Sequence, residues 1–142
     1  MESSLDQALK KLPHGPQFRF LDRLTSLDPG KSGAGEYRVR GDEPFLQGHF
    51  PGDPLLPGVL LLEAAAQLAG TVAQSDPRFA PLANLKLTAL RAAKILGTAR
   101  PGEVVHLEAK IVQRLGTLIQ AEAQASVEGR PVLLAEITLS GT

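Results

Sequence analysis

Positions 59–71 read VLLLEAAAQLAGT, which leaves no polar face when wound into a helix. Leu, Ala, Glu and Gln are strong helix formers, and Pro57 stands where a first-turn proline is tolerated. A helix that is apolar all round has to be buried. Crossing a membrane takes roughly 20 apolar residues, and this run is shorter and interrupted by Glu63 and Gln67. The rest of the chain must therefore enclose the helix within its own fold.

The stretch in front of it cannot be regular. Gly48, Pro51, Gly52, Pro54, Pro57 and Gly58 crowd one short segment; each proline fixes φ and removes a donor, and each glycine admits unusual φ. A stiff loop carrying His49 thus feeds directly into a helix carrying Glu63. Glu63 and Gln67 are four apart and share a face. A carboxylate on such a helix loses solvation, which raises its pKa and suits it to acid–base work. The plainer reading is a glutamate at the edge of the buried face, reaching a surface cation.

With 142 residues the sequence suits one domain, 1–142, long enough for a proper core. Acidic and basic residues balance at 15 each, so no charge excess points to nucleic acid. The absence of cysteine excludes a disulfide framework and thiol chemistry. Residues 1–11 lack the apolar core of a signal peptide, and the expectation is a cytoplasmic protein with no membrane insertion. Three scattered histidines with no ligand spacing predict no metal and no cofactor.

A short helix is expected over 4–12, with Leu5, Ala8, Leu9 and Leu12 on one side, stopped by Pro13. His14 then reads as a loop or packing histidine. Residues 18–27 read as a first strand and 28–31 as a Pro-Gly turn. Gly30-Lys31-Ser32 mimics the tail of a phosphate-binding loop, but Thr25 stands where that motif needs Gly, and residues 33–40 alternate like a strand where it needs a helix. Residues 82–93 read as a strand. Apolar residues alternate with polar ones over 105–111, 119–127 and 133–139, with Glu128-Gly129 as a tight hairpin turn. His106 falls on the polar side of its strand. The fold class is α+β: an antiparallel sheet of about six strands wrapped around one long apolar helix. The small residues from Ala121 to Ala125 leave room for close packing by a second copy.

Gly48-His49-Phe50-Pro51-Gly52, then Pro54, Pro57-Gly58-Val59, Leu62-Glu63-Ala64 and Gln67, resembles the FabZ-type 3-hydroxyacyl-acyl-carrier-protein dehydratases. The FabA type is less similar, having Asp where this chain has Glu63. Leu12-Pro13-His14, Asp22-Arg23, Pro29-Gly30-Lys31, Glu43-Pro44-Phe45 and Pro101-Gly102-Glu103 extend the likeness over nearly the whole chain. The resemblance implies the hotdog fold, a homodimer with continuous sheets, and often a trimer of such dimers. It further implies active sites shared between subunits and an acyl-carrier protein as partner.

The implied reaction is dehydration of (R)-3-hydroxyacyl thioesters to trans-2-enoyl thioesters in fatty-acid synthesis. The resemblance assigns His49 as the base at C2 and Glu63 as the acid at the departing hydroxyl, with the backbone N–H groups of Gly58 and Val59 as the oxyanion site. Substrate contacts fall to Phe50, Pro57, Leu60 and Gln67, with Leu55, Leu56 and Leu60 offering an acyl tunnel. Related enzymes have a non-proline cis peptide at the step equivalent to His49–Phe50, and the resemblance implies one here, against a cost of about 2.5–4 kcal/mol. Ile95 stands where the family usually has Phe, and Gly97 where it has a basic residue. Acyl length and the choice between carrier protein and coenzyme A therefore stay open. A hotdog thioesterase or a non-catalytic acyl-binding protein are the competing readings.

Overall fold

A computed structural model describes residues 3–47 and 52–142. His49, Phe50 and the peptide between them, for which a cis bond was expected, lie outside the described residues.

The long helix, α3, spans Gly58–Gln74. Pro57 has extended ψ (135°) and sits just before the first helical residue, so its missing N–H costs the helix no hydrogen bond. Six antiparallel strands form one sheet: β1 Arg23–Asp28, β2 Ser32–Arg38, β3 Lys86–Ile95, β4 Val104–Leu115, β5 Leu118–Val127 and β6 Arg130–Ser140, in the order β1-β2-β4-β5-β6-β3. The sheet wraps α3, which packs against β2, β4, β5, β6 and β3. The strand alternation delivers Leu107, Ala109, Ile119, Ala123, Leu133, Ala135 and Ile137 to one buried face. Opposite them lie Leu61, Ala64, Ala65, Leu68, Ala69 and Val72 of α3. Alanine meeting alanine lets the helix lie close to the sheet. The face of β5 that seemed open to a second copy is taken by this contact: Ala121, Ala123 and Ala125 are buried within the chain's own core.

The turn between β5 and β6 forms where the sequence placed it, with Glu128 at φ 50° and Gly129 at φ 78°, the positive pair that a two-residue hairpin turn requires. Three boundaries differ from the expected ones. The first helix, α1 Ser4–Leu9, is closed by a Ser3–Asp6 capping box and ends before Leu12, since Pro13 disfavours helical geometry in the residue before it. The first strand starts at Arg23 instead of Phe18. Pro16–Phe18 is a 3-10 turn, and the Phe18 carbonyl and Phe20 N–H bond to the Gln67 side chain instead of a strand. Strand β3 starts at Lys86 because residues 82–84 are engaged by Gln74 and Thr142 and Asn84 turns at φ 55°. A short helix, α2 Pro44–Gln47, was not expected.

β3 is an edge strand of ten residues, with Leu90 and Ile95 about half exposed. A long apolar edge of this kind is a template for pairing with another chain. No helix among the described residues is long and apolar enough to cross a membrane.

Beyond α3, Asp76 is sealed against the β1–β2 turn. A Cβ at Gly30 would fall 2.3 Å from Asp76 Oδ2, so only glycine fits there. Arg78 donates to this carboxylate from its backbone N–H (3.0 Å), Nε (3.0 Å) and Nη2 (2.8 Å). The hydrogen bonds from the Arg78 side chain, first, and its backbone hold the Asp76 pKa down at about 2. A depressed carboxylate stabilises the fold fully above its unfolded pKa, near 3.9, and loses that contribution as pH falls through about 2. Asp76→Asn is accordingly expected to melt below the unaltered protein at neutral pH. The gap in Tm should close between about pH 4 and pH 2; thermal melts across that range check it, and a constant gap contradicts it.

Candidate active site

Glu63 lies in the second turn of α3, its side chain 22% exposed, so the carboxylate is partly open rather than sealed as the all-apolar helix suggested. Two side chains hold it. Gln67 Nε2 donates to Glu63 Oε1 at 3.4 Å, and His14 Nε2 lies 3.2 Å from the same oxygen. Gln67 is itself fixed, since its Oε1 accepts from Phe20 N–H (2.8 Å) and its Nε2 donates to the Phe18 carbonyl (2.9 Å). An N–H on one end and a carbonyl on the other settle the orientation of this buried amide.

His14 is the residue that sequence reasoning undervalued. It sits on the loop between α1 and the 3-10 turn, its ring stacked on Phe18 at 6.3 Å, with Nδ1 buried and without a hydrogen-bond partner among the described residues. Its place in Leu12-Pro13-His14, one of the segments shared with the dehydratases, was the available signal.

From Glu63 a groove of about 820 Å³ runs along one stripe of α3, formed by Glu63, Ala66, Gln67, Gly70, Thr71 and Gln74. Its other wall is Leu82, Leu85, Leu87 and Leu139, and His14 stands at its head. Lys86 and Leu87 of β3 also line it, so the groove abuts the free edge of the sheet. A largely apolar trough of this volume with polar groups at one end has the make-up of a small-molecule site. Gln67 lines it; Pro57, Leu60 and Leu55 do not, and Leu56 is only 1% exposed within the core.

At the start of α3, helix geometry leaves the first N–H groups without intrahelical partners, at the positive end of the helix dipole. Gly58 lets Ile95 pack close there: a Cβ would fall 2.8 Å from Ile95 Cδ1, and the Ile95 side chain would have to shift. Ile95, which departs from the family pattern, thus packs against Gly58 at the start of the helix. Val59 is 67% exposed, so this end of the helix is open. The loop entering it is tied down by Leu56 N–H to the Ala99 carbonyl (2.8 Å) and by an Asp53–Arg100 ion pair.

The chain that leads toward His49 is anchored from the other side. Phe20 packs edge-on against Phe18, Tyr37 and Phe45, joining the Gln67 contact to α2. The buried Glu43 carboxylate accepts from the Tyr37 hydroxyl, Gly41 N–H (2.7 Å) and Arg40 N–H (3.2 Å). Burial pushes the Glu43 pKa up, but these donors outweigh it and hold the group below its usual range. Burial and the adjacent carboxylate raise that of Tyr37. His106, expected to be merely exposed, lies 3.6 Å from Glu36 on the outer sheet face, away from the groove.

Comparison with known proteins gives a consistent picture. A FabA-like domain model matches residues 12–136. The chain is 34% identical over 139 residues to a 3-hydroxyacyl-[acyl-carrier-protein] dehydratase FabZ of Chloroflexus aggregans, covering 98% of this chain and 96% of that one. It is 36% identical over 138 residues to the FabZ dehydratase of Clostridium acetobutylicum, covering 97% of each. Among solved structures it is similar to the dehydratase heterocomplex ApeI:P of Xenorhabdus doucetiae, with a TM-score of 0.80 at 17% identity, over 99% of this chain and 93% of that one. The six-stranded sheet wrapped on α3 is the hotdog fold.

Proposed function

The chain belongs to the FabA-like family, and from that premise we propose that it dehydrates (R)-3-hydroxyacyl thioesters, carried by an acyl-carrier protein, to trans-2-enoyl thioesters in fatty-acid synthesis. The observation that carries the reading is a carboxylate, Glu63, held by His14 and Gln67 at the head of an apolar groove.

In this reading His49 removes a proton from C2, for which an imidazole of near-neutral pKa is suited. Negative charge gathers on the thioester oxygen, which the N–H groups of Gly58 and Val59 receive as an oxyanion site. Glu63 gives its proton to the hydroxyl on C3, which leaves as water when the C3–O bond breaks. Phe50, Pro57 and Leu60 belong to the reacting end near the helix N-terminus, and Gln67 holds Glu63 in place. All of these steps are proton transfers and charge stabilisation by the chain's own groups.

The functional unit proposed is a homodimer paired along β3, with His49 of one subunit serving Glu63 of the other. Two observations support it: β3 is a long, apolar edge of the sheet, and the Glu63 groove opens beside that edge. A trimer of such dimers is compatible with the same contact.

The test is to supply purified protein with 3-hydroxyacyl and trans-2-enoyl thioesters on acyl-carrier protein and on coenzyme A. Interconversion of the two, followed by enoyl-thioester absorbance without release of free thiol, is the expected result. Thiol release in its place identifies a thioesterase. Binding without either change identifies an acyl-binding protein.

A further inference from the structure

We propose that Glu43 is a positioning residue for His49, acting through α2 and braced by the Tyr37 hydroxyl. The inference rests on the dehydratase reading and extends it to a buried carboxylate outside the groove.

Glu43 is 4% exposed, a depth at which a carboxylate has to be bonded. Arg40, the nearest cation in sequence, gives its guanidinium to Asp22 and Asp42 instead, at 3.8 and 3.6 Å. The carboxylate takes three uncharged donors: the Arg40 and Gly41 N–H groups and the hydroxyl of the buried Tyr37. Burial alone would raise its pKa, but these donors keep it below the usual range and ionised. Bonds to a charged acceptor are roughly twice as strong as neutral ones. The carboxylate therefore fixes the turn at 40–43 more firmly than an amide could.

That turn is where the chain leaves the sheet for α2. Behind it, Val39 donates to the Glu103 carbonyl (3.0 Å) and accepts from the Gly102 N–H (2.7 Å). Within it, Gly41 turns at φ 109°, and a Cβ there would sit 3.2 Å from Pro101. Ahead of it, α2 is a single turn, Pro44–Gln47, too short to persist on its own. It keeps its place through Leu46 N–H to the Glu43 carbonyl (3.0 Å), the burial of Leu46, and the edge-on contact of Phe45 with Phe20. The Tyr37 ring packs on the same Phe20 at 5.6 Å, so brace and helix share one aromatic contact. Gly48 alone separates α2 from His49 in the sequence. The segment that delivers the imidazole thus has the Glu43 carboxylate as its fixed end.

The experiment measures kcat and KM for hydration of a trans-2-enoyl thioester. It uses the unaltered protein, Glu43→Gln, Tyr37→Phe, His49→Ala, and His49→Ala combined with each of the first two. Glutamine keeps the shape of Glu43 but turns one acceptor into a donor that faces donors. Phenylalanine keeps the Tyr37 ring and removes only the hydroxyl. Misplacing a catalytic group by about 1 Å costs up to about 10²-fold. So kcat is expected to fall about 10- to 100-fold in Glu43→Gln, and by less in Tyr37→Phe, with KM little changed. In the His49→Ala background neither change should lower the residual rate further, because residues that act as a unit are not additive. Loss of folded protein would instead lower the residual rate by the same factor as it lowers the full rate. That result, or an unchanged kcat in Glu43→Gln, overturns the proposal while the dehydratase reading stands. Should Glu43→Gln fail to fold, Tyr37→Phe decides by the same comparison. If the unaltered protein hydrates no enoyl thioester, the dehydratase reading falls, and the role of Glu43 with it.

Discussion

Glu63→Gln leaves a folded protein whose interconversion of 3-hydroxyacyl and 2-enoyl thioesters is slower by about 10²–10⁴-fold, the usual contribution of a positioned general acid. Glutamine keeps the size of the side chain and an oxygen that can still accept from Gln67, so packing around α3 is preserved. What it lacks is a proton to give to the C3 hydroxyl. His49→Ala is expected to lose a comparable factor by removing the base at C2. The comparison to make is steady-state turnover together with the thermal melt of each variant. Loss of turnover with an unchanged melt assigns the residue to the reaction. Near-normal turnover in Glu63→Gln would take that carboxylate out of the mechanism, however well it is placed in the groove.

Much of this architecture was legible because its causes are local. The apolar run behind Pro57 had to be a buried helix, and period-two alternation marked the strands that enclose it. Glu128-Gly129 declared its turn through the conformations that those residues tolerate. The misplaced starts of the first strand and of β3 share another cause, the capture of strand-like backbone by a side chain outside the strand. Gln67 takes the Phe18 and Phe20 backbone, and Gln74 takes that of Leu82. No window centred on either strand contains that information. The alanines of β5 misled for a related reason. Small residues signal close approach, but the sequence does not say whether the neighbour is a second copy or the chain's own helix, and here it is the helix.

The site divides in the same way. Glu63 and Gln67 announced themselves by standing alone in an apolar run, whereas His14, read as a packing residue, lies 3.2 Å from Glu63. A loop histidine with no periodicity around it carries no local mark of what it faces. The groove was sought along Leu55, Leu56 and Leu60 because leucines suggest an acyl surface. The groove at Glu63 runs where the helix lining is small or polar, at Ala66, Gly70 and Thr71. Space for a ligand is made by the side chains that are absent, and large apolar residues such as Leu56 are more often consumed by the core.

The central claim is that one active site draws His49 and Glu63 from two copies of the chain. It is tested by mixing His49→Ala and Glu63→Gln proteins, each inactive alone, under conditions where subunit exchange is demonstrated independently. In a mixed dimer one site receives both altered residues and the other receives both native ones. With equal amounts and random exchange, about a quarter of all sites are intact, so about a quarter of full activity should return. A mixture that exchanges subunits fully and stays inactive would show that each site is built within one subunit.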